Sequence, residues 1–418
     1  MQKILLFLFT FSFSNTMAQN KSMQQKEDDF MEKLLMNNPV FEDIVTNKEN
    51  YRVQIVYTQI NRDKNNRANF KRHTYNLNHN NYFYPASMIK MPTAFLALQK
   101  LNELHIKGLN KYTTMLTDSA WKNQSKVFQD TSSSNGKPSI AQYIKKIFLV
   151  SDNDANNRLY EFLGQEYLNN NLHKMGYPDA QILHRLSISL SEDENRHTNP
   201  IKFEGKNGKI IFEQAAQISK LTYAKRNDFL GKGFYKNDSL INEAFNFSTK
   251  NRLYIDDMTD MLLSVIFPDN FPAKKRFNLT KEDYTFLYQC MSRLPKESTH
   301  PTYDSTQNYD AFCKYFMYGA DKKVTIPKNI RIFNKVGLSY GFLTDVAYIV
   351  DFENNIEFAL SATIYLNEDG ILNDDKYEYE QTGFPFLKNL GQEIYTYELK
   401  RERKFKPNLN KFKIKYDK

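Results

Sequence analysis

Residues 83–101 read FYPASMIKMPTAFLALQKL and carry the clearest structural signal in the chain. Apolar residues recur there at intervals of three and four, the spacing of one helix face, at Met91, Phe95, Leu98, Leu101 and Leu104. We therefore predict a buried helix that starts at or near Ser87. Ser87 then lies in its first turn, where free backbone N–H groups favour negative charge, and Lys90 follows one turn later on the same face.

Ser87 and Lys90 have the spacing of a nucleophile and its base. A serine hydroxyl is a poor nucleophile until a base removes its proton, and a lysine is a base only where burial or another cation keeps it neutral. Lys90 stands between Ile89 and Met91 at the start of an apolar helix, so it is hard to place in solvent. The alternative is an ordinary N-cap serine and a surface lysine. We favour the catalytic interpretation.

Strand patterns flank this helix at both ends of the chain. Residues 51–60 and 70–77 suggest a hairpin, and further strand patterns lie at 330–335, 343–352 and 356–365. Helical patterns occupy 139–150, 154–164, 256–266, 281–293 and 384–400. This order predicts a two-lobe α+β fold, in which helices flank an antiparallel sheet from both chain ends and a large all-helical lobe lies beside it. A site is expected in the cleft between the lobes.

The division of the chain follows from these patterns and from its two termini. Lys3 and the apolar run 4–13, with Thr16 and Ala18, predict a signal peptide cleaved after Ala18 and hence a periplasmic or secreted protein. The predicted parts are a signal peptide 1–18, an N-terminal segment 19–44, a catalytic domain 45–400 (sheet lobe 45–85 plus 326–400, helical lobe 86–325) and a basic tail 401–418. A solvated tail is favoured over an arm that touches an anionic surface.

Two further short motifs follow the serine–lysine pair. Ser151, Asp152 and Asn153 form SDN, and Lys335, Val336 and Gly337 form KxG. Ser87 and Lys90 form the pattern SxxK, a serine followed by a lysine three residues later. This pattern alone is weak evidence, because residues 119–122 also match it. The three motifs in this order are far less frequent by chance. The three motifs together resemble those of the penicillin-recognising serine enzymes, and specifically the class A β-lactamase family.

The resemblance implies a role for each matching residue. Ser87 would be the nucleophile and Lys90 its base, while Ser151 would pass a proton to the leaving nitrogen beside Lys335. Asn153 would hold the substrate amide, and the backbone N–H groups of Ser87 and Leu338, next to Gly337, would form the oxyanion hole. The implied activity is acylation of Ser87 and hydrolysis of a β-lactam or related amide. Alternatives are a D-alanyl-D-alanine peptidase or transpeptidase and a non-catalytic cell-wall-binding module.

The chain departs from the family pattern at two positions near the last motif. Val336 replaces the usual Thr or Ser, and the following strand has Leu343 where several members have Arg, so Lys335, Ser339 or Thr344 is left for a substrate carboxylate. Thr198, Asn199 and Pro200 resemble the start of the family's omega loop. Counting from them places the deacylating base on Glu204, with Glu192, Asp193 and Glu194 as rivals.

Other chemistries are excluded or left without support by the sequence. The seven histidines form no HExxH motif and no Gly-rich phosphate loop occurs, so we predict neither a metal nor a cofactor. Ser339 stands in a GxSxG pattern, but a strand follows it and no histidine comes after His300. A net charge of +9 is no nucleic-acid signature, no later segment resembles a membrane helix, and we expect a monomer with a small-molecule substrate. Cys290 and Cys313 allow one disulfide or two buried thiols.

Overall fold

The computed structural model describes residues 29–417. The predicted signal peptide, and the segment up to residue 28, lie outside the described residues. The α-helices are α1 (Phe30–Met36), α2 (Glu42–Thr46), α3 (Lys90–Glu103), α4 (Ile140–Val150), α5 (Asn153–Leu163), α6 (Gln165–Lys174), α7 (Glu192–Arg196), α8 (Ile255–Ile266), α9 (Lys281–Ser292) and α10 (Phe384–Lys400).

The strands fall into a long group that builds the main sheet and a short group that lies elsewhere. They are β1 (Gln54–Arg62), β2 (Ala68–Tyr75), β3 (Thr114–Thr117), β4 (His197–Thr198), β5 (Ile201–Glu204), β6 (Ile210–Gln214), β7 (Gln217–Ile218), β8 (Phe229–Leu230), β9 (Gly233–Lys236), β10 (Ser239–Ile241), β11 (Phe245–Asn246), β12 (Ile330–Ser339), β13 (Phe342–Asp351), β14 (Ile356–Tyr365) and β15 (Ile371–Leu372).

The main sheet is antiparallel and joins the two ends of the chain in the order β12-β13-β14-β1-β2. Its centre is the pairing of β1 with β14, in which Gln54 lies opposite Thr363. Helices α8 and α9 pack on one face, and α1 and α10 pack on the other. Because both faces are covered, β13 is buried along its whole length. The predicted α+β class, with a sheet built from both chain ends and flanked by helices, is confirmed.

The second lobe contains strands as well as helices, which corrects the expectation that it is all-helical. Strand β3 and the short strands β4 to β11 lie between α3 and α8, and they form small two- and three-stranded sheets. Each has two to five residues, and several face solvent on both sides. Such short exposed strands show no alternation of apolar and polar residues, so the sequence pattern could not reveal them.

The basic tail is folded against the body, so the expectation of a solvated extension is wrong. Leu409 and Phe412 are buried, and Phe412 packs against Phe333 and Tyr348. The Arg293 guanidinium donates two hydrogen bonds to the Asp417 carboxylate, at 2.8 and 2.9 Å. The apolar residues between the charges therefore anchor the tail, and the Lys411 ammonium adds a hydrogen bond to the Ile266 carbonyl oxygen at 2.7 Å.

The two cysteine thiols are free and buried. No helix of residues 29–417 has the length and apolarity needed to cross a membrane.

Candidate active site

The nucleophile candidate lies on a tight turn that leads into α3. A 3-10 turn covers Ala86–Ile89, and α3 continues from Lys90. Ala86 has a φ of 46°, a left-handed conformation that is costly for a residue with a side chain. Half-buried Ser87 follows it and lines a cleft of about 420 Å³. The strained turn thus leaves the hydroxyl accessible while Met88 and Ile89 pack into the core.

The SDN motif is the junction between two helices. Ser151 ends α4 in a left-handed conformation (φ 59°, ψ 37°), and Asp152 caps α5 by accepting a hydrogen bond from the Ala155 N–H at 2.8 Å. This sharp reversal fixes the directions of the side chains on either side of Asp152. Ser151 and Asn153 are both half-buried.

The KxG motif lies on edge strand β12 and approaches the nucleophile turn closely. A Cβ atom at Gly337 would lie 2.7 Å from the Pro85 carbonyl oxygen and 3.0 Å from Met88 Cγ. Only glycine therefore allows β12 to pass this close to the turn that carries Ser87. The next residue, Leu338, lines the cleft beside Ser87.

The two lysines meet at the Ser151 hydroxyl. Lys335 Nζ donates to Ser151 Oγ at 2.8 Å and to the Val336 carbonyl oxygen at 2.8 Å. Lys90 Nζ donates to Asn153 Oδ1 at 2.6 Å and to the Ser151 carbonyl oxygen, and it lies 3.2 Å from Ser151 Oγ. Residues from three separate elements thus form one connected polar group next to the cleft.

Both amines are buried, and this lowers their affinity for protons. Burial, and then the nearby Lys335 charge, hold the pKa of Lys90 well below its usual range. Burial lowers the pKa of Lys335 to about 8, against the opposing influence of Cys313 and Asp345. A neutral Lys90 amine has two N–H bonds for its two best acceptors, and its lone pair remains to take a proton.

A loop between α6 and α7 forms the wall of the cleft opposite β12. Residues 183–190 line it, and Ser187 Oγ accepts a hydrogen bond from Asn153 Nδ2 at 2.7 Å. This loop precedes Thr198–Pro200 in the chain. The cleft wall is therefore not the segment after these residues, where the resemblance predicted the deacylating base. Glu204 ends β5 opposite Thr114 and is not part of the cleft lining.

Of the rival carboxylates, only Glu192 lines the cleft. It accepts hydrogen bonds from the Tyr223 hydroxyl at 2.7 Å and from Arg196 Nη2 at 3.1 Å. These two donors lower its pKa. Glu192 is therefore ionised and hydrogen-bonded to Tyr223 and Arg196.

The structure brings the proposed site residues together in two layers. Ser87, Asn153 and Leu338 line the cleft, while Lys90, Ser151, Lys335 and Gly337 lie behind them in the contacts given above. Thr344 is excluded from the cleft because its hydroxyl is buried against Thr363 Oγ1 at 2.8 Å. Sequence reasoning did not single out Ser187, Tyr340 and Lys250, which also line the cleft; Ser187 and Lys250 belong to no motif, and Tyr340 lies in the GxSxG pattern around Ser339.

Within the described part of the chain, no group of three or more His, Cys, Asp and Glu residues is placed to hold a metal ion.

The pH dependence of acylation is expected to have an alkaline limit near pH 8. In the role that the resemblance implies, Lys335 acts as a cation, so the rate should fall as pH rises through its pKa of about 8. His184 contributes nothing to this limb, because burial lowers its pKa to about 4 and keeps it neutral. The check is the second-order rate constant of Ser87 acylation from pH 6 to 10. Lys335→Arg, which stays charged, should remove the alkaline limb, and an unchanged limb in that variant would contradict the assignment.

The turn that carries Ser87, the SDN junction and edge strand β12 with its KxG motif hold the three motifs on which the resemblance rests. The sequence model of the beta-lactamase enzyme family matches residues 39–225, which include the first two motifs. The predicted resemblance to this family is confirmed over residues 39–225. No curated protein matches the chain.

Solved structures with similarity to the chain include three described as β-lactamases. One from Burkholderia vietnamiensis has 11% identity and a TM-score of 0.47, with 90% of this chain and 100% of that chain covered. One from Xanthomonas campestris pv. campestris has 13% identity and a TM-score of 0.45, with 88% and 98% covered. One from Sphaerobacter thermophilus has 12% identity and a TM-score of 0.43, with 85% and 94% covered.

Proposed function

We propose that the protein is an exported serine hydrolase of the class A β-lactamase type, which is acylated on Ser87 and hydrolyses a β-lactam or related amide. The observation that carries this proposal is the convergence of Lys90 and Lys335 on the Ser151 hydroxyl beside the cleft that contains Ser87. Export rests on the predicted signal peptide, residues 1–18, and places the enzyme in the periplasm or outside the cell.

The acylation step uses these groups in sequence. Lys90 takes the Ser87 proton as Oγ bonds to the amide carbonyl carbon, and the N–H groups of Ser87 and Leu338 hold the oxyanion. The carbon–nitrogen bond then breaks, and the proton passes from Lys90 through Ser151 Oγ to the leaving nitrogen. Lys335 stabilises negative charge on Ser151 during this transfer. The products are a Ser87 ester and a free amine, which remains attached when the substrate is a lactam.

Deacylation is the slow half of the proposed cycle. A water that attacks the ester needs a base, and the cleft wall facing Asn153 offers the Ser187 hydroxyl, a poor base, at that position. Glu204 is not part of the cleft lining, and Glu192 is engaged with Tyr223 and Arg196. This arrangement also favours a second candidate function, a penicillin-binding D-alanyl-D-alanine peptidase or transpeptidase, whose acyl-enzyme passes to another acceptor.

Two reagents separate these functions. A fluorescent penicillin should label the protein on Ser87, with the modified peptide identified by mass spectrometry. Rapid hydrolysis of a chromogenic cephalosporin would favour the β-lactamase, and a stable label with slow hydrolysis would favour the penicillin-binding enzyme. If neither reagent reacts while Ser87 and Lys90 are intact, the acylation proposal is wrong and a non-catalytic cell-wall-binding module is the better description.

A further inference from the structure

Lys250 brings a positive charge to the cleft from a segment outside all three motifs. It follows β11, lines the cleft with Ser339 and Tyr340, and lies beyond the segment that the family model matches. Its ammonium lies 5.7 Å from the centre of the Phe245 ring and 6.0 Å from that of Tyr340. The two rings support the cation on one side, and its other side faces the cleft.

This charge has no anionic partner, unlike the other charged residues of the cleft lining. Arg185 is paired with Glu161 at 3.1 Å, and Glu192 is paired with Arg196 at 3.1 Å. For Lys250, no carboxylate among residues 29–417 lies within ion-pair distance. Partial burial lowers the pKa of Lys250. An unpaired, half-buried cation in a cleft is costly unless an anion binds there.

The backbone around Lys250 is fixed before any substrate arrives. The Lys250 N–H donates to the Phe247 carbonyl oxygen at 2.9 Å, and the Lys250 carbonyl accepts a hydrogen bond from Arg226. The next residue, Asn251, accepts at Oδ1 from the Leu183 N–H at 2.7 Å, which joins this segment to the loop wall. The backbone of Lys250 is therefore held at the cleft lining, and it needs no ordering when a substrate binds.

The position of Lys250 shows which part of a substrate it meets. Ser151 and Lys335 serve the leaving nitrogen in the proposed acylation, so the acyl part extends the opposite way from Ser87. Ser339 lies four residues beyond Lys335, about 13 Å along β12. The Lys250 ammonium lies 6.0 Å from the centre of the Tyr340 ring, and Tyr340 follows Ser339, so we infer that Lys250 meets the acyl part.

We propose that Lys250 is a specificity-determining residue that binds a carboxylate on the acyl side of the substrate. The preferred substrates are then amides with a negative charge on the acyl group, in addition to any charge on the leaving side. This inference rests on the proposed acylation of Ser87, since that reaction defines the acyl side.

Benzylpenicillin and carbenicillin form a matched pair for the test, because carbenicillin adds one carboxylate to the same acyl group. The measurement is the second-order rate constant of Ser87 acylation for each compound. Lys250→Met should lower the carbenicillin constant about tenfold and change the benzylpenicillin constant less than about twofold. Lys250→Arg should keep most of the carbenicillin preference. The matched control is Lys236→Met, which removes an exposed lysine of β9 and should alter neither constant.

Binding without chemistry separates this inference from the proposed function. In Ser87→Ala, calorimetry should give a lower Kd for carbenicillin than for benzylpenicillin, and adding Lys250→Met should remove the difference. Equal losses for both compounds, or no loss for either, would overturn the role of Lys250 and leave Ser87 acylation intact. If intact protein forms no Ser87 ester, the proposed function fails and the calorimetric comparison still decides the role of Lys250. Absence of binding by either penicillin would overturn the inference.

Discussion

Ser87→Ala should abolish covalent labelling by a fluorescent penicillin and lower hydrolysis by a factor on the order of 10⁴ or more. The effect is large because Ser87 supplies the oxygen of the acyl ester in the proposed reaction. The strained Ala86 and the close approach of Gly337 hold this one hydroxyl in place. Intact-mass spectrometry after incubation with benzylpenicillin measures the result directly.

The chain offers a natural control for that variant. Ser119 begins the other SxxK match, but it lies in a loop after β3 and does not line the cleft. Ser119→Ala should therefore retain full labelling. A label that survives Ser87→Ala, or that is lost in Ser119→Ala with the fold intact, would show that the nucleophile has been misassigned.

Ser187→Glu should accelerate deacylation by about 10²- to 10⁴-fold, the range typical of an added general base. The Ser187 hydroxyl accepts a hydrogen bond from Asn153 Nδ2, and Asn153 in turn accepts one from Lys90. A carboxylate in that place would have a donor to orient it and would face a water bound near the Ser87 ester. The measurement is the rate at which the acylated protein, freed of excess penicillin, returns to its unmodified mass.

Two variants test whether position matters in this prediction. Ser189→Glu puts the same charge two residues away on the same wall, where it has no bond to Asn153, and should leave the deacylation rate nearly unchanged. Glu204→Gln should also have no effect, because Glu204 lies outside the cleft lining. A large loss in Glu204→Gln would restore that residue as the deacylating base.

The main sheet and the nucleophile helix were predictable because their signals are local and strong. Strands β12 to β14 and helices α3, α4 and α10 agree with the apolar periodicity to within a few residues. Long buried elements show their period in the sequence because most of their buried positions carry apolar side chains. The small strands of the second lobe have two to five residues and bury little, so they left no comparable pattern.

The site was predictable where a motif fixes geometry and not where only tertiary contacts do. Ser87 and Lys90 are three residues apart at the start of one helical segment, so the sequence predicts that they share one side of it. Ser187 lies in the loop wall, and Lys250 lies next to Asn251, which bonds to that wall. Residue spacing in the sequence predicts neither of these positions. The prediction of a solvated tail was wrong for the same reason, because the few apolar residues of the tail contact their partners only in the folded protein.

The pairing of β1 with β14 has a consequence for when this protein can first work. Gln54 and Thr363 are neighbours in the sheet but are separated by most of the chain. Strand β12, which carries Lys335, is the second strand beyond β14 in the same sheet. Closing so long a loop is slow compared with forming local contacts. We therefore expect the reactive arrangement to form only after the chain has been synthesised past residue 365 and β14 has paired with β1.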